Sequence, residues 1–100
     1  MKHRDPIIDD IRAHREEIIR IAARHGGSDI RVFGSVARGE PGDRSDVDLL
    51  IRLDEQRSLL DRIAMMNDLE DLLGRPLDVV NESALHPSLR GRILGEAVAL

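Results

Sequence analysis

One hundred residues, 41% of them apolar, carry enough for one small core and argue against disorder. The net charge of −4, from 15 basic and 19 acidic residues, with Lys2 the only lysine and Phe33 the only aromatic, argues against a nucleic-acid surface and against base recognition by stacking. Cysteine is absent, no apolar run reaches a membrane span, and "MKHRDPIIDD" lacks a signal-peptide core; the expectation is a soluble cytoplasmic protein with no disulfide and no thiol chemistry.

In chain order, Asp5 and Pro6 suit a helix cap and a first helical position. Ile7, Ile8, Ile11, Ile18, Ile19 and Ala22 then recur at helical spacing, which predicts one amphipathic helix from Ile7 to about His25, stopped by Gly26-Gly27. Residues Asp29 to Phe33 read as a strand with Ile30 and Val32 on one face. Gly34-Ser35 ends it, Val36 to Gly39 resemble the first turn of a short helix, and "EPGDRS" is a loop. Val47, Leu49, Ile51 and Leu53 alternate, so Asp46 to Leu53 is a strand whose odd positions face a core. A second helix is expected from a cap at Ser58, with Asp61 three positions on, and an apolar stripe of Leu60, Ile63, Met66, Leu69 and Leu73. Met65 and Met66 read as core filler. Gly74-Arg75-Pro76 closes that helix, "PLDVV" is a third strand, Pro87 opens a last helix through Leu94, and "AVAL" is a terminal strand or a tail. The fold class this predicts is a two-layer α/β (α+β) domain over residues 1–100, with helices over a small mixed β-sheet.

The chemistry lies in "FGSVARGEPGDRSDVDLLI", Phe33 to Ile51. Side chains two apart on a strand share a face, so Asp46 and Asp48 are neighbours, with Cα atoms roughly 6–7 Å apart, opposite the apolar face. Two carboxylates this close repel each other, and a divalent cation with hard-oxygen preference, Mg²⁺, removes the cost. Asp78 sits between Leu77 and Val79 and points away from their face. If its strand pairs beside the Asp46–Leu53 strand, three carboxylates meet and suffice for two metal ions. Gly34 permits close backbone approach, Ser35 offers a hydroxyl and an amide, the helical turn after them offers N–H groups to an anion, and Arg38 is near enough to help neutralise a triphosphate. Taken singly, each residue has a plain structural alternative: Asp46 as a turn cap, Asp48 as a partner of Arg52, Gly34-Ser35 as an ordinary turn, Arg38 as a solvated charge or ion pair, Asp78 as an exposed strand residue. His3, His14, His25 and His86 show no metal-ligand spacing and are read as surface or helix-end residues.

Gly-Ser, ten residues, then Asp-x-Asp resembles the signature of the DNA polymerase β-like nucleotidyltransferase superfamily, and "ARG" and "SD" resemble its minimal nucleotidyltransferase branch. The resemblance covers nearly the whole chain. It implies the nucleotidyltransferase fold, nucleotide binding by Gly34, Ser35, Arg38 and Ser45, Mg²⁺ on Asp46 and Asp48, and a third acidic ligand that falls by position on Asp78. It implies nucleotidyl transfer, with ATP as the expected substrate. It further implies an antitoxin role in a two-gene module, in which AMP is attached to a tyrosine of a HEPN-type RNase toxin held in a hetero-oligomer. Two other roles fit the same residues: an antitoxin that neutralises its partner by binding alone, and a nucleotidyltransferase acting on a small molecule. No DNA partner and no membrane are expected.

Overall fold

A computed structural model of the chain describes residues 6–39 and 47–100. Asp5, the loop expected over 40–45 with Ser45, and Asp46 lie outside those residues. Two helices, α1 (Pro6–Ala13) and α2 (Arg15–Arg24), lead into strand β1 (Gly27–Phe33) and the one-turn helix α3 (Gly34–Ala37). Strand β2 (Val47–Leu53), helix α4 (Leu59–Leu73) and strand β3 (Leu77–Asn81) follow. A 3-10 turn (Glu82–Ala84), helix α5 (Pro87–Glu96) and strand β4 (Val98–Ala99) complete the order. The strands form one sheet in the order β3-β2-β1-β4. β2 and β3 run parallel; β1 is antiparallel to both β2 and β4. This is the mixed α+β arrangement expected from the pattern, and "AVAL" contributes an edge strand.

The first helix is two helices. At His14 the ring Nδ1 donates to the Asp10 carbonyl at 2.9 Å, the acceptor that the His14 amide would use in a continuous helix. The His14 amide instead donates to Ile11 O at 3.1 Å, a tighter i→i−3 bond that breaks the ladder. Helical periodicity does not register the break, because Ile7, Ile11, Ile18 and Ala22 still reach the core on one face and all are buried. Ile19, expected on that stripe, is 39% exposed.

β1 begins two residues earlier than the pattern suggests and carries a bulge. Two residues lie between Ser28 and Arg31 where β2 has one between Arg52 and Leu50, and Asp29 absorbs the extra residue at φ 53. Despite the bulge, Ile30 and Val32 both face the core as expected. β2 behaves as its alternation predicts: Val47, Leu49 and Ile51 are fully buried in the same cluster as Val79 and Leu77 of β3.

α4 is capped as expected, the Asp61 carboxylate reaching back to the Ser58 amide at 2.8 Å. That hydrogen bond is the main reason the Asp61 carboxyl lies below its ordinary value. Gly74 ends the helix in the left-handed conformation (φ 67). The apolar stripe differs from the expected one. Met65, Leu69 and Leu73 are buried, with Met66 packed beside them, whereas Leu60 is 75% exposed and Ile63 half exposed. The face that carries Met65, Leu69 and Leu73 turns inward, whereas Leu59 and Leu60 of the first turn face solvent. α5 starts at Pro87 and runs two residues past the expected Leu94.

Leu50 is fully buried yet lies outside the main cluster, on the β2 face it shares with Asp48 and Arg52. That second face is closed by an ion cluster. Glu82, itself buried, pairs with Arg31 of β1 at 2.6 Å and with Arg52 of β2 and Arg90 of α5 at 3.5 Å each. The Arg31 hydrogen bond, opposed by burial and aided by the three guanidinium charges, holds the Glu82 carboxyl below its ordinary 4.5. A depressed folded value means the carboxylate stabilises the fold fully above about pH 4.5 and loses that contribution as pH falls through the lower folded value. Urea unfolding of wild type and Glu82→Gln at pH 6 and at pH 3.5 checks this. The stability gap between the two is expected to be wide at pH 6 and to shrink at pH 3.5; a constant gap would contradict the ion-pair assignment.

Candidate functional site

The site is built where β1 ends beside β2 and β2 beside β3. The antiparallel register places Phe33 opposite Asp48, so the residue after Phe33 arrives alongside that carboxylate. Gly34 adopts φ +75, and a Cβ there would fall on the Asp48 Oδ2 atom. Only glycine satisfies both constraints, which accounts for the Gly in Gly-Ser. Ser35 and Ala37 are half-buried on α3, and Val36 anchors that turn in the core.

On the other side of β2, the parallel register pairs Asp48 with Asp78. The two side chains leave adjacent strands at matched positions on the same face, across an interstrand spacing of about 4.8 Å. Asp48 is half-buried and Asp78 exposed. β3 is held in this register on both sides of Asp78. Glu70 of α4 accepts from the Leu77 amide at 2.9 Å, and Arg62 of α4 donates to the Val79 carbonyl at 2.6 Å. Asp78 therefore stands on backbone fixed by α4, although nothing in "PLDVV" by itself marks it. Ser45 and Asp46 lie outside the described residues; among those that are described, no three acidic or His side chains gather as a metal-binding group.

Arg38 and the Gly34 amide meet a residue that the sequence pattern did not single out. Glu96, the last residue of α5, accepts from the Gly34 N–H at 2.9 Å through Oε1. Arg38 Nη1 lies 3.2 Å from both Glu96 oxygens. The amide expected to face an anion is thus occupied by a carboxylate from 62 residues along the chain. No local pattern near Glu96 signals this contact, which only the tertiary fold creates. Of the histidines, His25 bonds Asp68 of α4 at 2.7 Å and His86 caps α5, accepting from the Ser88 amide at 3.2 Å; both are helix-end residues.

The Gly34 turn is thus seated on one aspartate, and a second aspartate stands in register on the next strand. The sequence pattern of the nucleotidyltransferase domain matches residues 11–100. The chain belongs to that family, a class of group-transfer enzymes. It is 42% identical over 84 residues to a candidate protein adenylyltransferase of Methanocaldococcus jannaschii, covering 84% of this chain and 90% of that one. It is 41% identical over 86 residues to the protein adenylyltransferase MntA of Thermococcus cleftensis, covering 86% and 84%. Among solved structures, one described as a candidate minimal nucleotidyltransferase superimposes with a TM-score of 0.83 at 48% identity over 92% of this chain and 94% of that one. A toxin–antitoxin structure with AMP-PNP shares the fold, with a TM-score of 0.72 at 19% identity over 84% and 69% of the two chains. Among the described residues no helix is long and apolar enough to cross a membrane.

Proposed function

We propose that this nucleotidyltransferase transfers AMP from ATP, with Mg²⁺, to a tyrosine of a HEPN-type RNase toxin, and so acts as an antitoxin. The observation that carries the proposal is the in-register pair Asp48 and Asp78 beside the Gly34 turn. Their oxygens are hard donors, and two like charges at matched strand positions repel each other unless a cation lies between them, so the pair fits Mg²⁺. With Asp46, two residues before Asp48 in sequence, the set would hold two ions. Bound there, Mg²⁺ supplies neutralisation of the triphosphate and of the charge that builds on departing pyrophosphate.

The chain's own groups supply position and charge. The turn at Gly34 and Ser35, with Arg38 and Ser45, receives the phosphates, and the rigid β2–β3 ladder fixes where the α-phosphate sits relative to the acceptor. The acceptor hydroxyl oxygen bonds to the α-phosphorus, the bond to the bridging oxygen breaks, pyrophosphate leaves, and the hydroxyl proton passes to water. The adenylyltransferase names of the relatives support ATP as donor and a protein as acceptor, and the toxin–antitoxin neighbour supports a toxin partner in a hetero-oligomer. The acidic balance of the chain supports a protein acceptor over a nucleic acid.

Co-expression with the product of the adjacent gene, purification, incubation with ATP and Mg²⁺, and intact-mass measurement test the proposal. A mass increase of whole AMP units on the partner, mapped to a tyrosine, is the expected result. A tight complex with no added mass would select neutralisation by binding alone. Modification of added small molecules and not of protein would select the third role.

A further inference from the structure

Two carboxylates converge on Gly34: Asp48 where a Cβ would sit, and Glu96 on the amide. Asp48 has a use there in the proposed reaction. Glu96 does not, and its location is electrostatically unfavourable by itself. It ends α5, where the helix dipole places partial negative charge, and no basic residue lies in the last turn of that helix. Contacts outside the helix offset this: the Gly34 N–H at 2.9 Å and the Arg38 guanidinium at 3.2 Å to each oxygen. These are the amide and the cation that the proposed site offers to a triphosphate. The Glu96 side chain is only 20% exposed, so it lies inside the site rather than over its rim.

We infer that Glu96 is an internal anion that occupies the phosphate cradle of the nucleotide-free protein and is displaced by the incoming triphosphate, so that nucleotide affinity is set by this competition. The inference rests on the nucleotide site proposed above. A triphosphate entering beside Glu96 would add like charge to like charge at hydrogen-bond range, which is several-fold unfavourable in binding; release of Glu96 withdraws the competing carboxylate from the Gly34 amide and from Arg38 at once. Release also undoes contacts that tie the end of α5 to the Gly34 turn, and β4 follows α5 after one residue, Ala97. Nucleotide occupancy is thereby coupled to the packing of the C-terminal helix.

Glu96→Gln keeps the side-chain length and an acceptor for the Gly34 amide but removes the charge. In calorimetric titration with AMP-PNP and Mg²⁺, this variant is expected to bind at least about threefold more tightly than wild type. Equal or weaker binding by the variant overturns the inference and makes Glu96 a positioning residue for Arg38. Absence of binding to both proteins, partner included, refutes the nucleotide site itself and the inference with it. A second readout uses wild type only and does not depend on how the variant folds. On adding AMP-PNP and Mg²⁺, amide hydrogen exchange is expected to rise over residues 94–97 while it falls over 34–38. Exchange over 94–97 that stays level or falls overturns the inference.

Discussion

Gly34→Ala is expected to abolish AMP transfer and to lower the thermal midpoint at the same time. The residue holds φ +75, a conformation that costs an L side chain roughly 1–2 kcal/mol. The added methyl would also fall on Asp48 Oδ2, so either the turn or the carboxylate has to move. Both movements damage the site: one withdraws the cradle from the phosphates, the other withdraws Asp48 from its partner Asp78. Thermal unfolding together with nucleotide titration separates the two contributions. A variant that keeps wild-type activity would show that neither the turn nor the Asp48 position matters to the reaction.

Asp48→Asn should behave differently, losing activity without losing the fold. Removal of this carboxylate, or of that of Asp46, is expected to lower Mg²⁺-dependent transfer by at least about 10³-fold, since charge neutralisation at the transferring phosphate supplies much of the acceleration. Without metal, however, Asp48 faces Asp78 in register, and like charges directly across a ladder destabilise by roughly 0.2–1 kcal/mol. Relief of that repulsion opposes the loss of the contacts the carboxylate itself makes, so the metal-free variant is expected to keep a cooperative melting transition close to that of wild type. A paired measurement of activity and melting checks both. Inactivity accompanied by a large loss of stability would indicate a structural role for Asp48 in place of the catalytic one.

Much of this fold could be read before the structure, because local periodicity carries it. The odd positions of β2 and the apolar neighbours of Asp78 fixed which faces those carboxylates take, and Gly74 and Ser58 marked the ends of α4. What escaped depends on contacts between distant residues or on a single side chain. His14 splits the first helix by taking one carbonyl, without shifting the isoleucine stripe. The stripe of α4 departs from its periodicity at Leu60 and Ile63, because which of two overlapping apolar faces a helix turns inward is decided by the surface it packs on. The pairing of Asp48 with Asp78 depends on strand order, which periodicity does not encode; the parallel β2–β3 ladder supplies it. Nothing local marks Glu82 or Glu96. Each acts through arginines or amides far away in sequence, and an isolated glutamate near a helix end carries no signature.

The central strand has a consequence for the chain before it folds. Val47, Leu49, Leu50 and Ile51 are all fully buried, so β2 needs cover on both sides and its sequence is correspondingly greasy. While the polypeptide is still open, that segment is the natural template for unwanted self-association, and Asp48 is the sole charge between Val47 and Ile51. The aspartate assigned to chemistry in the finished molecule thus serves earlier as a gatekeeper against aggregation. The Asp48→Asn variant should accordingly give lower soluble yields than wild type on refolding at high concentration.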